Sequence, residues 1–293
     1  MDLLPHRAAL GRTLRDLRTA RGTTLRQVAG ELGVSAATLS AIENGKTGVS
    51  SERVSRLAEV LGVPVQRLFD LDDATVRATG AWVARPGPPR AWRAADGDWR
   101  RFDPLVLDPA LAGALSSFLE FGYHGATMRT IAERSRLSVP GLYHHYASKQ
   151  EMLVAILDLT MSDLLARTRV ARDEGEGPVE RFALVVECLA LFHTHRRELG
   201  FVGASEMRSL DHDDRERIAA ARREQQHLVD TEVEEGVRAG LFATDRPHEA
   251  ARAVVTMITA TAQWFRASGP ATAEEVAAQY VEFALDLVRH RPS

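Results

Sequence analysis

Residues 127–157 read TMRTIAERSRLSVPGLYHHYASKQEMLVAIL, and the order of apolar stripe, corner and cap in that run leaves the chain few ways to fold there. A short helix is expected over 127–135, because Met128, Ile131 and Ala132 make one apolar stripe at helical spacing. A sharp corner follows at Arg136 and Leu137. Ser138 then caps a second helix, in whose first turn Pro140 is tolerated because the amide it lacks would have no intrahelical partner. Ser148 and Glu151 form a capping box that starts a third helix at Lys149, continuing through Met152, Leu153, Ile156 and Leu157. The backbone amides and the lysine at that helix start suit a phosphate. The pattern is a helix-turn-helix followed by a longer, capped helix.

With FGYHGATMRTIA leading in and GLYHHYASKQEML closing it, this run resembles the DNA-binding domain of the TetR family of bacterial transcriptional regulators. The resemblance extends from about residue 109 to the C-terminus, close over 109–157 and looser afterwards. Carried over position by position, it implies phosphate contacts from Thr127, Tyr143, His144 and Lys149. It places Val139, Gly141 and Leu142 at base edges in the major groove. Two departures stand out. Arg136 occupies the corner where the family usually has glycine, and a non-glycine residue held at positive φ costs about 1 kcal/mol or somewhat more. The helix before Gly122 starts at Asp108 and Pro109 where the family usually has a basic residue, which implies a weaker second grip on DNA.

A second helix-turn-helix of different spacing lies ahead of it. Helices are expected over 8–20, from Thr24 with Gln27 as capping-box partner, from Ser35, and from Ser51 to Gly62; Gly33 makes the corner, and Pro64 opens a last turn ending near Phe69. TLRQVAGELGVSAATLSAIENGKTGVSSERVSRLAEVLGVPVQRLF resembles the XRE family, whose type members are the Cro and lambda-repressor proteins. That resemblance implies a five-helix domain over residues 1–70. Ser35, Ala36, Ala37, Thr38 and Ser40 would present to the groove, with Asn44 and Lys46 on the phosphate backbone. Leu25 stands where many members carry a phosphate-reaching glutamine, so that contact is missing.

Between the two, residues 71–108 are not helical in pattern, and RPGPP at 85–89 reads as a stiff linker. Trp82, Trp92 and Trp99 lie in this stretch, and aromatic residues are scarce in disordered linkers, so part of it is expected to pack on a neighbouring domain. Charge separates along the chain. Residues 1–101 hold 16 basic and 11 acidic side chains, whereas residues 171–293 hold 15 and 22, within a net charge of −3. A basic front and an acidic rear fit a nucleic-acid end and a solvated regulatory end. The two lysines, Lys46 and Lys149, both fall at expected phosphate contacts, although chance within an arginine-rich composition accounts for that equally well.

After residue 157 the pattern stays helical. Phe182, Val185, Val186, Leu189, Phe192 and His193 mark one amphipathic helix; a polar helix over 211–240 and a final pair over 247–267 and 272–290 follow, with Thr272 and Glu275 as the capping box of the last. The TetR resemblance makes that last pair half of a four-helix bundle with a second subunit, hence a homodimer. Two long amphipathic helices joined by ASGP also fit a plain hairpin within one chain. An effector pocket between helices needs apolar walls, for which Phe182, Cys188, Phe192, Met207, Met257 and Trp264 are candidates, although residues of this kind mostly form core. The ending WFRASGPATAEEVAAQYVEFALDL is similar to TetR regulators of fatty-acid and steroid breakdown, which respond to acyl-CoA thioesters.

Catalytic and metal chemistry find little support. His144 and His145 point to different sides of a helix, and His193 and His195 have the wrong spacing to share a metal. A single cysteine, Cys188, excludes an intramolecular disulfide and a thiolate cluster. There is no P-loop or G-x-G-x-x-G, and GASEM at 203–207 lacks the second glycine of a nucleophile elbow. No cofactor is expected. Without an N-terminal apolar run or an 18-residue apolar segment, the expectation is a soluble cytoplasmic protein. The expected whole is all-α: an XRE-like domain over 1–70, a linker over 71–108, a TetR-like headpiece of three helices over 109–157 and a ligand-binding, dimerising helical domain over 158–293. Its expected function is ligand-responsive control of transcription through double-stranded DNA, most simply as a repressor. An alternative makes the first domain a protein-interaction module.

Overall fold

The computed structural model describes residues 4–63, 65, 68 and 90–291, with backbone alone at 4–9, 51 and 52. The turn expected from Pro64 to Phe69, and with it the fifth helix of the first domain, Trp82 and the RPGPP run lie outside the described residues. The described residues form helices joined by turns and irregular segments such as 101–108, with an isolated antiparallel bridge between Phe242 and His290. Contacts divide the chain into two compact units. One comprises Met1–Gly87, Asp108–Ser117 and Gly125–Met152; the other comprises Pro88–Leu107, Phe118–His124 and Leu153–Ser293.

In the first unit, α1 (Leu4–Ala20), α2 (Leu25–Glu31), α3 (Ala36–Glu43) and α4 (Ser51–Val60) enclose a core of Leu14, Val28, Leu39, Ile42, Val54 and Leu57. Side-chain caps set three of the helix starts. Thr24 and Gln27 form the reciprocal box on α2, Ser35 accepts from the Thr38 amide at 3.0 Å on α3, and Ser50 caps α4. Gly33 turns the corner between α2 and α3 at φ 65°, where a Cβ would be strained. The buried carboxylate of Glu43 receives two bonds from Arg18, at 2.7 and 3.0 Å, and this bidentate pair ties α3 to α1.

The same unit holds the second headpiece, built from the start of α5 (Pro109–Gly125, interrupted at Gly122 with φ 67°), α6 (Met128–Ser135) and α7 (Val139–His145). Asp108 explains the missing basic residue at the start of α5. One of its oxygens accepts from the amides of Ala110 and Leu111, and the other accepts from the Tyr146 hydroxyl at 2.8 Å, so the acid caps α5 and holds the end of α7. At Gly113 α5 touches the end of α6: a Cβ there would lie 2.8 Å from the Ser135 amide nitrogen.

α8 (Lys149–Glu174) starts as expected. In the second unit α9 (Pro178–His195) is the central helix, packed by α11 (His212–Arg238), α12 (Pro247–Thr259) and α14 (Ala273–Leu287). Its Phe182, Val185, Val186, Leu189 and Phe192 are all buried. α10 (Arg197–Ser205) was not foreseen, and the GASEM run falls at its end rather than after a strand. The long helix expected over 247–267 breaks at Ala260, giving α12 and a short α13 (Thr261–Trp264), because the Thr261 hydroxyl bonds back to the Ile258 carbonyl and the chain turns extended at Phe265. Thr272 and Glu275 form the expected box on α14, with bonds of 2.8 and 3.1 Å.

Residues 90–107 belong to the second unit and are fastened to it. Trp99 is buried and donates its indole N–H to Glu174 at 2.8 Å. The buried Arg167 on α8 bonds Asp163 at 2.8 Å and the carbonyls of Trp99 and Arg101 at 2.6 and 2.9 Å, with its guanidinium 4.1 Å from the Phe102 ring centre.

Candidate nucleic-acid interface and ligand cavity

In the second headpiece Thr127 and Thr130 cap α6 reciprocally, each side-chain oxygen accepting the other's amide at 3.1 and 2.9 Å. Arg136 stands at the corner with φ 57° and ψ 29°, the left-handed conformation that glycine usually supplies. Ser138 accepts the Gly141 amide at 3.1 Å and starts α7, the helix in the recognition position. Lys149 Nζ donates at 2.7 Å to the carbonyl of Ala126, the residue before Thr127, so this cation lies beside the capped start of α6. Thr127 and His144 are exposed, and Val139 and Gly141 are half-buried at the start of α7.

Two expected contacts need correction. Leu142 and Tyr143 are 0% and 1% exposed, so neither presents to a groove or a phosphate in this structure. The apolar body of each side chain goes into the packing that a seven-residue helix needs, and burial pushes the Tyr143 hydroxyl pKa above its ordinary range. Glu151, the expected partner of Ser148, reaches back to the Ala147 amide, one residue before the position the box requires, while Ser148 caps the Glu151 amide at 3.0 Å.

In the first headpiece Ser35 and Ala37 are exposed, Ala36, Thr38 and Ser40 are half-buried along α3, and Asn44 and Lys46 are exposed past its end. The Ser35 and Thr38 hydroxyls bond each other at 2.8 Å. Asn44 is held by its own Nδ2–H to the Ser40 carbonyl at 2.8 Å and by Arg15, whose guanidinium donates to Asn44 Oδ1 at 2.7 Å. Arg15 therefore brings a cation to the expected phosphate position. Sequence reasoning passed over it because the two residues are far apart in the chain and only tertiary packing joins them.

The second unit contains a cavity of about 80 Å³ walled by five helices. Leu157, Met161 and Leu164 come from α8, His193 from α9, Ile218 from α11 and Ile258 from α12; of the two α10 glycines in the wall, Gly200 packs closely on His193 and Gly203 leaves space open. Arg222 and Gln225 of α11 add polar groups. His193 Nδ1 bonds the Leu189 carbonyl at 2.9 Å, and burial pulls the ring's pKa down to about 4, so it is neutral at pH 7.

None of the six residues expected as pocket wall lines this cavity. Phe182, Cys188 and Phe192 are fully buried in the central core, and Met257 packs against it half-buried. Met207 opens the turn after α10, and Trp264 is half exposed and stacks on Tyr280. The largest apolar side chains made the core; the cavity lies where small ones left room.

Two capped helix-turn-helix pairs and a cavity walled by apolar side chains in a separate helical unit define a DNA-binding regulator of the ligand-binding kind. The comparisons agree. The description "Bacterial regulatory proteins, tetR family" matches residues 110–156 and "Tetracyclin repressor-like, C-terminal domain" matches 175–288, together more than half of the chain; "Helix-turn-helix domain" matches 9–70. The chain is 29% identical over 176 residues to the HTH-type transcriptional repressor KstR2 of Mycobacterium tuberculosis, covering 59% of this chain and 87% of KstR2. It is 48% identical over 60 residues to the uncharacterized HTH-type transcriptional regulator RghRB of Bacillus subtilis, covering 20% of this chain and 43% of that protein. The structure of AibR with isovaleryl coenzyme A and operator DNA matches at a TM-score of 0.55 and 25% identity, over 59% of this chain and 95% of AibR. The chain belongs to the TetR family of transcriptional regulators and carries a further helix-turn-helix domain ahead of the family's own. It is a regulator and not an enzyme.

Proposed function

We propose that the chain is a homodimeric repressor that acts in the cytoplasm, holds its operator through both headpieces, and lets go when a small, largely apolar effector enters the cavity of the second unit. The cavity carries this reading. Its wall includes Leu157, Thr160, Met161 and Leu164 of α8, the helix whose first residue, Lys149, lies beside the cap of α6. A ligand that prefers one position of α8 over another shifts the equilibrium between DNA-competent and incompetent forms by its difference in affinity for the two. Repression as the sign of control is supported by the likeness to KstR2. The likeness to AibR, solved with isovaleryl coenzyme A, supports an effector built on a short acyl group, as the CoA thioester or as the free acid.

Support for the homodimer comes from α13 and α14. Trp264 and Phe283 are each 51% exposed and Leu287 is 42% exposed, and the rings of Trp264, Tyr280 and Phe283 run one against the next. Apolar side chains of this size gathered on one surface are a common mark of a protein interface. The first domain is read as an XRE-type DNA reader because Ser35, Ala37 and Lys46 are exposed on and beside α3, with Arg15 alongside Asn44.

The test is effector release from an operator selected out of random duplex DNA. At Gly203 a Cβ would make ordinary contacts of 3.8 and 4.0 Å with Thr160 and Leu157, so a side chain can begin there without strain, and a leucine adds bulk to the cavity wall. Gly203→Leu is expected to bind the operator as the parent does and to resist release by any effector that releases the parent, as read by gel shift. Release of both proteins at the same concentration overturns the cavity as the effector site.

A further inference from the structure

The polar part of the cavity wall lacks partners of its own. Gln225 is 4% exposed, and neither its amide nitrogen nor its amide oxygen has a hydrogen-bond partner. Buried side-chain amides are nearly always bonded, so an orphan pair of this kind marks a place where another molecule belongs. Arg222 lies three residues earlier on α11, on the same face, and is half-buried. Among the described residues no carboxylate pairs with it, and it is the one permanent charge in the described cavity wall. His193 is neutral beside it, and its depressed pKa reflects burial and the neighbouring Arg222. Burial also lowers the pKa of Arg222, as expected for a guanidinium drawn out of water without a counter-charge. Most of the rest of the wall is apolar, with Leu157, Met161, Leu164, Val255 and Ile258 among its residues.

From this arrangement we infer that the effector is a small carboxylic acid whose carboxylate seats on Arg222 and Gln225 and whose short hydrocarbon body fills the apolar side of the cavity. This rests on the cavity being the effector site. A guanidinium presents paired N–H donors that match a carboxylate's two oxygens, and the Gln225 N–H donates to one of them. The Gln225 oxygen is met by a hydroxyl or a water carried in with the acid. The cavity of about 80 Å³ limits the body to a short chain, because a water-sized group needs roughly 10–15 Å³ of such space. A thioester of the same acyl group has no carboxylate to offer, so the acid and its CoA thioester are distinguishable ligands.

The experiment uses the full chain and four probes: 3-methylbutanoate, hexanoate, the neutral 3-methylbutanamide and 3-methylbutanoyl-CoA. Binding is read by calorimetry and by the shift in melting temperature, for the parent, Arg222→Met and Gln225→Leu. Both variants replace a group without a partner by an apolar one of similar length, so they should melt at or above the parent's temperature, and lost binding then cannot be put down to misfolding. The expected result is that an acid binds the parent, that the amide binds at least about tenfold more weakly, and that Arg222→Met weakens the acid about ten- to a hundredfold. Equal binding of acid by parent and Arg222→Met, binding by the thioester or amide in place of the acids, or no binding by either acid overturns the assignment. If the thioester or another compound still releases the operator from the parent but not from Gly203→Leu, the effector reading survives and only the carboxylate is lost.

Discussion

Arg136 holds a left-handed backbone, φ 57°, at the corner of the second helix-turn-helix, where a side chain costs about 1 to 2 kcal/mol. Arg136→Gly relieves that strain and gives back part of it as unfolded-state entropy, so the net stabilisation is expected to be about 1 kcal/mol or less, read as a rise in the denaturation midpoint. A fall in the midpoint would mean that the arginine makes contacts that outweigh the strain. His193 brings a pH dependence of definite sign. Its folded pKa, about 4, lies below the ordinary value of 6.5 because the ring is buried beside Arg222; the bond from Nδ1 to the Leu189 carbonyl opposes that fall without cancelling it. The unfolded chain therefore takes up a proton first as pH falls. The stability held above pH 6.5 is lost progressively down to about pH 4, up to about 3 kcal/mol in all. His193→Asn should flatten the stability curve between those limits in denaturant titrations; an unchanged slope would show that the histidine is not buried neutral.

Among elements, residues 90–107 are held by charge as much as by apolar packing. Arg167 is buried with Asp163, donates to the carbonyls of Trp99 and Arg101 and faces the Phe102 ring, while Arg100 pairs with Glu187 at 2.7 Å and lies 3.9 Å over Trp99. Arg167→Met leaves Asp163 buried with the more distant Arg196, 3.7 Å away, and is expected to cost about 3 kcal/mol or more. Adding Asp163→Leu should restore part of the loss in a double-mutant cycle; additive losses would contradict coupling between the pair. The helix starts were legible in the sequence because a cap is a bond across three residues: Thr24 with Gln27, Ser35 with Thr38, Ser138 with Gly141 and Thr272 with Glu275. The fastening of Trp99 to Glu174 was not, nor was the cavity, because each depends on which faces of distant helices meet. The inward turn of Leu142 escaped for a related reason. An apolar residue on a recognition helix has the same local pattern whether it faces a groove or the core of its headpiece.

For the molecule as a whole, the basic residues 1–101 and the acidic residues 171–293 set the charge suited to DNA and the cavity-bearing core in different parts of the chain. Two headpieces per chain, doubled in a homodimer, would lengthen the contacted DNA and steepen its salt dependence through added phosphate contacts. The fastening of residues 90–107 also fixes where the chain can be cut. A version starting at Phe102 would lose Trp99 and the cover over Arg167, whereas one starting at Arg90 keeps both. The central claim is that both headpieces hold one operator. Its most direct test is to footprint the selected site with the full chain and with the version starting at Arg90. A protected stretch that is longer for the full chain and shortens on truncation, with a shallower salt slope, is the predicted result. An identical footprint and slope from the two proteins would contradict it, leaving recognition to the second headpiece and making the first a docking module.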